Sequence, residues 1–342
     1  MHMNLQRWLI LAGLLIGGLL VYLARADILE AYQLLRETEW WILLLVVPIQ
    51  FVNYIIKAQF HRSMLSHFGY AVSLWRLFGL NWAIFFMNIT LPTVGLSSVP
   101  LMGTVLRNDD VPPGKSTLVY FSKYAITYAS YIFILLFGVL TLYFAGDIAA
   151  ITIRFTVLLG VAIIGVSVFG LFALYDQRAF DWVVYRIQRV VDWISRKFRR
   201  GKELIGAARI KTMLVDFYDG FHQVMRNRAY LKQPFWWGLA GNVAELAILF
   251  VVFWALGVIP NPGVVVIAYA FANGAGFLSV IPGDFGVYEI VMVAVLSAAG
   301  VPLSVGVSAT LLYRVVVKFA FLPIGFYFYT TYIREVPSGQ RH

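Results

Sequence analysis

Two carboxylates stand among helix-breaking residues inside apolar sequence, in the stretch Ile281–Glu289 (IPGDFGVYE). A charged side chain at the centre of a bilayer costs roughly 2.5–3.5 kcal/mol on insertion scales, so such residues favour a functional interpretation. Pro282 and Gly283 interrupt a helix, and broken backbone at membrane depth is tolerated only where protein or a watery cavity covers it. The stretch therefore predicts a covered bend inside a membrane protein.

The composition agrees with a membrane location. The 342 residues are 61% hydrophobic and 13% charged, whereas a soluble domain is about 25% charged. The chain has no cysteine, which excludes disulfides, a thiol nucleophile and a thiolate metal site, and its five histidines have no metal-ligand spacing. We therefore predict no metal and no cofactor. The net charge of +10 lies beside apolar runs, where it sets topology, and does not indicate nucleic acid.

The apolar runs predict about six full spans, at residues 7–24, 40–56, 117–145, 151–175, 235–257 and 304–332. The first run is followed by Ala24-Arg25-Ala26 and could instead be a cleaved signal peptide, although we favour a retained helix. Trp40-Trp41 opens the second span, since paired Trp suits an interface. We predict that this span ends near Ile56 and that a basic loop follows, with Lys57, His61, Arg62 and His67.

Residues 178–233 form a basic insertion. They contain thirteen Lys and Arg against five Asp and Glu, with apolar residues at helical spacing. We interpret this insertion as two amphipathic helices on the inner leaflet, with an ordinary solvated loop as the alternative. Positive charge places it in the cytoplasm.

Two features of the sequence recur at one constant spacing. Pro92 matches Pro282, and Val111-Pro112 matches Val301-Pro302. In both places an apolar segment ends at a proline, a short segment follows, and a Val-Pro turn opens a long helix. These matches predict a duplication with halves at residues 1–145 and 151–333, the second half carrying the basic insertion.

The charge distribution sets the orientation of the halves. With 178–233 inside, the loops balance only if 74–106 and 264–299 are re-entrant hairpins that enter from the cytoplasm and from outside, respectively. If each hairpin were instead two full spans, 285–299 would cover only about 22 Å of a roughly 30 Å core. We therefore predict an all-α polytopic membrane protein, an inverted repeat of six spans and two re-entrant hairpins, with both termini cytoplasmic. Such repeats are a recurring transporter design.

The second half resembles a known family in the pattern Pro282-Gly283-x-x-Gly286-x-x-Glu289, followed by Gly300-Val-Pro302 and Leu311-Leu-Tyr-Arg314. It is similar to the flippase-like family that includes the transmembrane (flippase) region of lysylphosphatidylglycerol synthetase and stand-alone relatives tied to polyprenyl-linked glycans or other lipids. The resemblance implies a lipid transporter, and we expect a stand-alone member without the soluble aminoacyl-transferase domain.

The first half departs from that family. Members often carry an acidic residue and an Arg soon after the first proline, but here Thr93–Pro100 has no charge. The later Glu-Arg…Asp of many members appears only as Ser122-Lys123…Thr127. The lipid of the better-known members is therefore not carried over to this chain.

The candidate site residues are polar groups within the apolar segments. We expect the cations to bind a headgroup phosphate: Lys123, Arg314 and Lys318. We expect the carboxylates to gate a cavity or carry a proton: Glu245, Asp284 and Glu289. We expect a third set to break the hairpins or line them: Asn81, Asn88, Pro92, Asn242, Asn273, Pro282, Gly283 and Gly286. Two structural alternatives stay open, namely that Glu289 and Arg314 form an ion pair locking the hairpin to the last helix, and that Lys123 snorkels.

The leading interpretation is a multi-pass plasma-membrane lipid translocase that is not an enzyme. It would move a phosphate-bearing lipid through a cavity between the halves. The main alternative is a membrane-embedded enzyme or accessory subunit that modifies lipids or lipid-linked glycans, and the third is a transporter of small solutes or ions. The expected partners are anionic or lipid-linked membrane lipids, with a homo-oligomer and a separate lipid-synthesising enzyme also considered.

Overall fold

A computed structural model describes residues 33–90, 98–145, 218–278 and 286–335. These ranges contain helices and no strand, so the all-α prediction is confirmed. The α-helices described from end to end are α1 Val46–His67, α2 Leu74–Thr90, α3 Ser98–Arg107, α4 Pro113–Ala145, α5 Lys232–Ala255, α6 Pro262–Leu278, α7 Val287–Ala298, α8 Leu303–Arg314 and α9 Leu322–Glu335. Short 3-10 helices, Ile42–Leu45 and Arg228–Leu231, precede α1 and α5, and a π-helical turn, Val315–Phe319, follows α8.

Four of the described stretches are long and apolar enough to cross a bilayer: Ile42–His67, Pro113–Phe144, Ala229–Ala255 and Leu303–Arg334. The chain is therefore a membrane protein with several spanning helices. The predicted spans 7–24 and 151–175 lie outside the described residues, as does 178–217 of the basic insertion, so the count of six spans stays a prediction. Exposed aromatic and aliphatic side chains on α4, such as Phe137 and Phe144, suit contact with lipid.

Prolines open many of these helices. Pro113 and Pro262 are the first residues of α4 and α6, and Pro48, Pro100 and Pro234 lie in the first turn of their helices. A proline is tolerated there because its missing N–H would have no intrahelical acceptor. The sequence thus marks the beginnings of the elements directly.

The helix before each hairpin ends in the same turn. After α1, the N–H of Gly69 donates to Ser66 and that of Tyr70 donates to Leu65, 3.0 and 3.1 Å away. After α5, the N–H of Gly257 donates to the Trp254 carbonyl at 2.9 Å, and that of Val258 donates to the Phe253 carbonyl at 3.1 Å. Both glycines have positive φ, 86° and 70°, as a Schellman cap requires. The turn that ends α1 is thus repeated, residue for residue, at the end of α5.

The second Schellman turn closes each hairpin and is also repeated. The N–H of Val111 donates to Leu106 at 3.1 Å, and that of Val301 donates to Leu296 at 3.0 Å. The residue before each valine has positive φ, 60° and 88° respectively. These turns fall at the Val-Pro positions that the sequence singles out.

Helices α2 and α3 form an antiparallel pair. Near its beginning α2 carries Arg76, whose Nε is 2.7 Å from the Asp109 carboxylate and whose guanidinium also donates to the Val105 carbonyl at 3.1 Å. At the opposite ends, the Ser98 hydroxyl donates to the Asn88 side-chain oxygen at 2.6 Å. The chain therefore returns at the end of α3 to the level at which α2 began.

The hairpins pack on helices from the other half of the sequence. Helix α2 packs against α9, where the Tyr332 hydroxyl donates to the Arg76 carbonyl at 2.9 Å, and α6 packs against α4, where Tyr131 and Tyr269 meet edge to face. Helices α1 and α5 pack along each other between these two contacts. Buried aromatic rings fill the core, with Tyr54 stacked on Trp82.

One predicted boundary is wrong. The predicted loop containing Lys57, His61, Arg62 and His67 belongs to α1, which continues to His67 because it stays packed against α2 and α5. The predicted last span, 304–332, is confirmed by the apolar stretch Leu303–Arg334, in which the helix widens between α8 and α9. The cause is Pro323, which cannot donate to the preceding turn, so the backbone widens into the π-helical turn before α9 begins.

Candidate functional site

A stripe of polar residues runs along one face of α1. Gln50, Asn53, Lys57 and His61 recur every three or four residues, and all except Lys57 are almost fully buried. The Lys57 ammonium lies 3.0 Å from Glu245 Oε1 on α5. The two side chains are 22% and 24% exposed, so this ion pair lies inside the bundle without being sealed.

The ion pair joins two residues that lie far apart along the chain. Lys57 and Glu245 are 188 residues apart, the same separation as the Schellman turns that end α1 and α5. The Tyr269 hydroxyl of α6 donates to Glu245 Oε2 at 2.6 Å, so the carboxylate has a partner on each oxygen. The same separation also relates Tyr269 to Asn81, which bonds the α1 residue His61.

Asn81 and His61 are both buried, at 3% and 1% exposure. The Asn81 amide donates to the Leu77 carbonyl at 2.8 Å and lies 3.1 Å from His61 Nδ1. The first bond fixes the amide nitrogen as the atom facing the ring. Nδ1 therefore accepts, and the ring proton is on Nε2, since a neutral imidazole carries only one. Nε2 is buried and has no hydrogen-bond partner among the described residues.

Lys123 is half-buried, about a third of the way along α4. Its ammonium lies 5.1 Å from the centre of the Tyr124 ring, and within the described ranges it forms no ion pair. Helix α4 packs against both α1 and α5, the helices that carry the Lys57–Glu245 pair. Tyr120 and Tyr124 lie before and after Lys123 on the same helix, and their hydroxyls are 3.1 Å apart. Lys123 therefore adds a positive charge beside the Lys57–Glu245 pair.

A second ion pair lies entirely within the C-terminal half of the chain. Arg314 Nε at the end of α8 is 2.6 Å from Glu289 Oε1 on α7, which confirms the predicted locking contact. Glu289 Oε2 also accepts the N–H of Gly286, 2.6 Å away, and so caps α7, whose first turn needs acceptors. The guanidinium lies 3.9 Å from the centre of the Tyr288 ring, and Arg314 is 3% exposed.

The predicted asparagines bind within and between helices. The Asn242 amide donates to Ser130 Oγ at 2.5 Å and to the Thr127 carbonyl at 3.2 Å, which ties α5 to α4. The Asn273 side-chain amide donates to the Tyr269 carbonyl at 2.8 Å. The main-chain carbonyl of Asn273 accepts from the Tyr128 hydroxyl at 3.4 Å. Asn88 bonds Ser98, as described above. These contacts agree with a hydrogen-bonding role in the bundle.

Several predicted residues fall elsewhere. Lys318 is half-buried in the π-helical turn after α8. Pro92, Pro282, Gly283 and Asp284 lie outside the described residues. Among the residues that are described, no group of three metal-ligating side chains comes together.

The comparison with protein families fits this arrangement. The family described as the lysylphosphatidylglycerol synthase transmembrane region matches residues 10–325, nearly the whole chain. The chain belongs to this family. The predicted resemblance is thereby confirmed, and all the polar contacts above lie within the matched region.

A curated relative matches a smaller part of the chain. It is a UPF0104 membrane protein of Methanothermobacter thermautotrophicus, 27% identical over 130 residues, 37% of each chain. The match thus spans well under half of the relative's length, and its printed name gives no substrate.

Lys57 is the site residue that the sequence interpretation missed. The signal was present, since Gln50, Asn53, Lys57 and His61 follow the spacing of one helix face. Ending the helix at Ile56 turned the last two members of that face into loop residues. A charged residue near the end of an apolar run indicates the end of a membrane span, unless an oppositely charged partner elsewhere in the chain is known.

Proposed function

We propose that this protein is a lipid translocase, which moves the phosphate-bearing headgroup of a phospholipid, an aminoacyl-lipid or a polyprenyl-phosphate-linked lipid across the plasma membrane. The observation that carries the proposal is the Lys57–Glu245 ion pair inside the spanning bundle, at corresponding positions of the two halves. Charges at membrane depth are costly and usually mark a substrate or ion pathway. Membership of a family named for a lipid-modifying enzyme's membrane region supports a lipid substrate.

An inverted repeat is supported by the two pairs of Schellman turns. One pair precedes the hairpins and the other follows them, and both pairs recur at nearly the same separation along the chain. The exchange of packing agrees, because α2 lies on α9 and α6 lies on α4. Halves related by a two-fold axis make such contacts in pairs. Two residues at corresponding positions that touch each other must lie beside that axis. In an inverted repeat the axis lies in the membrane plane, so Lys57 and Glu245 would lie near the midplane.

Two re-entrant hairpins are part of the proposal. Helices α2 and α3 run antiparallel, and α3, with 10 residues, covers about 15 Å, half of the roughly 30 Å core. Helix α7, with 12 residues, is similarly short. The proposed bends at Pro92 and Pro282 fall between these helices. The first hairpin enters from the cytoplasm and the second from outside, so that both termini are cytoplasmic.

The headgroup moves between the halves while its tails stay in lipid. Lys123, Arg314 and Lys318 attract the phosphate, and the carboxylates Glu245, Asp284 and Glu289 compete for the same cations. Rocking one half against the other exposes this polar path to one side and then to the other. The basic insertion 178–233 lies on the cytoplasmic surface, where a lipid-synthesising enzyme could deliver substrate.

The function is tested by flipping of fluorescent lipids in liposomes that contain the purified protein. We expect at least one phosphate-bearing lipid to cross faster than in empty liposomes, and a phosphate-free diacylglycerol analogue not to. Lys123→Met should slow flipping, whereas Asp109→Asn, in an ion pair away from the proposed path, should not. Rates equal to empty liposomes for every lipid tried would contradict the proposal.

The topology is tested by thiol labelling of single cysteines, since the chain has none of its own. Arg107→Cys and Leu303→Cys place a thiol at the exposed turn that follows each hairpin. We expect the first to label from the cytoplasm and the second from outside. Labelling of both from the same side would rule out the inverted arrangement and leave the lipid-flipping result to stand by itself.

A further inference from the structure

The surroundings of His61 offer hydrogen-bond donors without acceptors. Asn81 occupies Nδ1, so the buried Nε2–H of His61 points away from any protein acceptor in the described ranges. A buried donor left without a partner costs free energy, so such atoms usually have a water, an ion or a ligand to bind. The histidine is 1% exposed, which puts this donor inside the bundle.

Positive charge surrounds that donor. Lys57 lies one turn earlier on the same face of α1, and Lys123 lies on α4, which packs against α1. Glu245 is the carboxylate paired with Lys57, and the Tyr269 hydroxyl occupies its other oxygen. These packed helices therefore carry two lysines and a buried imidazole N–H beside one carboxylate. The surplus is one positive charge and one neutral donor.

We propose that Lys57, His61 and Lys123 form a phosphate-binding site in the interior of the bundle, and that Glu245 occupies Lys57 when no phosphate is bound. The ligand is an oxyanion of the phosphate class, carried on a lipid headgroup. This inference rests on the proposed translocase function and names the atoms that would hold its substrate.

The carboxylate has somewhere to stay when phosphate replaces it. Glu245 Oε2 accepts from the Tyr269 hydroxyl at 2.6 Å, on a different helix from Lys57, so that bond survives the exchange. Lys57 also contacts the Tyr54 ring, 4.8 Å from its centre, which keeps the ammonium near the site. The phosphate oxygens then accept from both lysines and from Nε2–H, and charge-assisted bonds of this kind are the strong ones.

The site sits where a moving headgroup needs a resting point. Its members lie beside the ion pair that joins corresponding positions of the proposed halves. If the repeat is inverted, this position is about equally distant from the two membrane surfaces. A competitor that is tethered nearby also keeps binding from becoming too tight, because phosphate must displace Glu245 on arrival and is displaced by it on departure.

The test measures binding of short-chain phosphatidylglycerol, inorganic phosphate and phosphate-free dihexanoylglycerol to purified protein in detergent. Lys123→Met should weaken phosphatidylglycerol binding about tenfold or more, as expected for a lost charge-assisted bond, and His61→Phe should weaken it less. Glu245→Gln should tighten binding several-fold, because it removes the competitor but keeps an acceptor for Tyr269. Asp109→Asn, a carboxylate of similar exposure in another ion pair, is the matched control and should change nothing.

A merely structural role would not make Lys123→Met weaken lipid binding and Glu245→Gln tighten it. Weaker binding in Glu245→Gln, or unchanged binding in Lys123→Met, would overturn the site. Lys123→Met should fold, since it removes a cation that no described carboxylate neutralises. Tighter binding of inorganic phosphate than of the lipid would overturn the headgroup assignment. Flipping without this binding pattern would refute the site alone, whereas the binding pattern without any flipping would refute the translocase function alone.

Discussion

The two interior ion pairs differ in what they join and in how completely they are closed. Glu289 and Arg314 lie on consecutive helices of one half, and the arginine is 3% exposed. Lys57 lies on α1 and Glu245 on α5, 188 residues further along the chain, and about a quarter of each side chain is exposed. One pair therefore fastens a hairpin to its neighbour, while the other lies where the halves meet.

Their surroundings differ in the same sense. Glu289 also caps α7, and Arg314 also lies over the Tyr288 ring, so the charges of this pair are matched and held on several sides. Near Lys57 lie His61 Nε2, which no described residue pairs, and Lys123 on the neighbouring helix α4. A neutral, closed pair stabilises a structure, whereas a pair with surplus positive charge can exchange one anion for another.

The largest expected effect is on the closed pair. Glu289→Leu leaves Arg314 buried without a counter-charge and removes the acceptor of the Gly286 N–H, so we expect it to lower the free energy of unfolding by about 3–5 kcal/mol. Unfolding in detergent, followed by helical signal, measures this loss. Glu289→Gln keeps a hydrogen-bond acceptor and should lose less, and equal losses would show that charge pairing is not what holds α7 to α8.

The open pair should respond less in stability and more in transport. Lys57→Met leaves Glu245 with its Tyr269 bond and partial exposure, so we expect a loss of about 1–3 kcal/mol, less than for a sealed pair. The double variant Lys57→Met with Glu245→Gln should regain most of that stability and still not flip lipid. Recovery of flipping in the double variant would mean that the pair serves only to hold the halves together.

Glycines at the contacts between the halves give a comparison that involves no charge. A methyl group on Gly79 would lie 2.7 Å from the Phe328 ring, and one on Gly263 would lie 2.6 Å from the Gly138 carbonyl oxygen. Alanine at either position should cost about 1–3 kcal/mol through overpacking. Gly306→Ala, within one half, meets its nearest atom at 3.7 Å and should be neutral or stabilising. Thermal unfolding of the three variants checks this order.

The smallest effect is expected at the surface. Arg76 and Asp109 are 2.7 Å apart at the open ends of α2 and α3, with 24% and 22% exposure, and the guanidinium also has a backbone acceptor. A double-mutant cycle should give a coupling of about 0–1 kcal/mol, as for other pairs near solvent. A coupling as large as that of Glu289 with Arg314 would remove the distinction between closed and accessible pairs.

The sequence predicted the elements whose signals are local. Proline at the first turn and glycine after the last turn gave the ends of several helices, and the Val-Pro spacing located the turns that share one geometry. The pairing of Glu289 with Arg314 was also within reach, because the two residues lie in successive helices joined by a short turn. Local rules failed at Ile56, where charged residues in a continuing helix were interpreted as a loop.

By itself, the sequence determined that this chain is an all-helical membrane protein of its family, and which polar residues its apolar segments must accommodate. Only the tertiary structure decided that Lys57 faces Glu245, 188 residues away, and that Asn81 fixes the His61 ring. The physical reason is that helix formation depends on neighbours along the chain, whereas the partner of a buried charge depends on which faces meet when α1 and α5 pack.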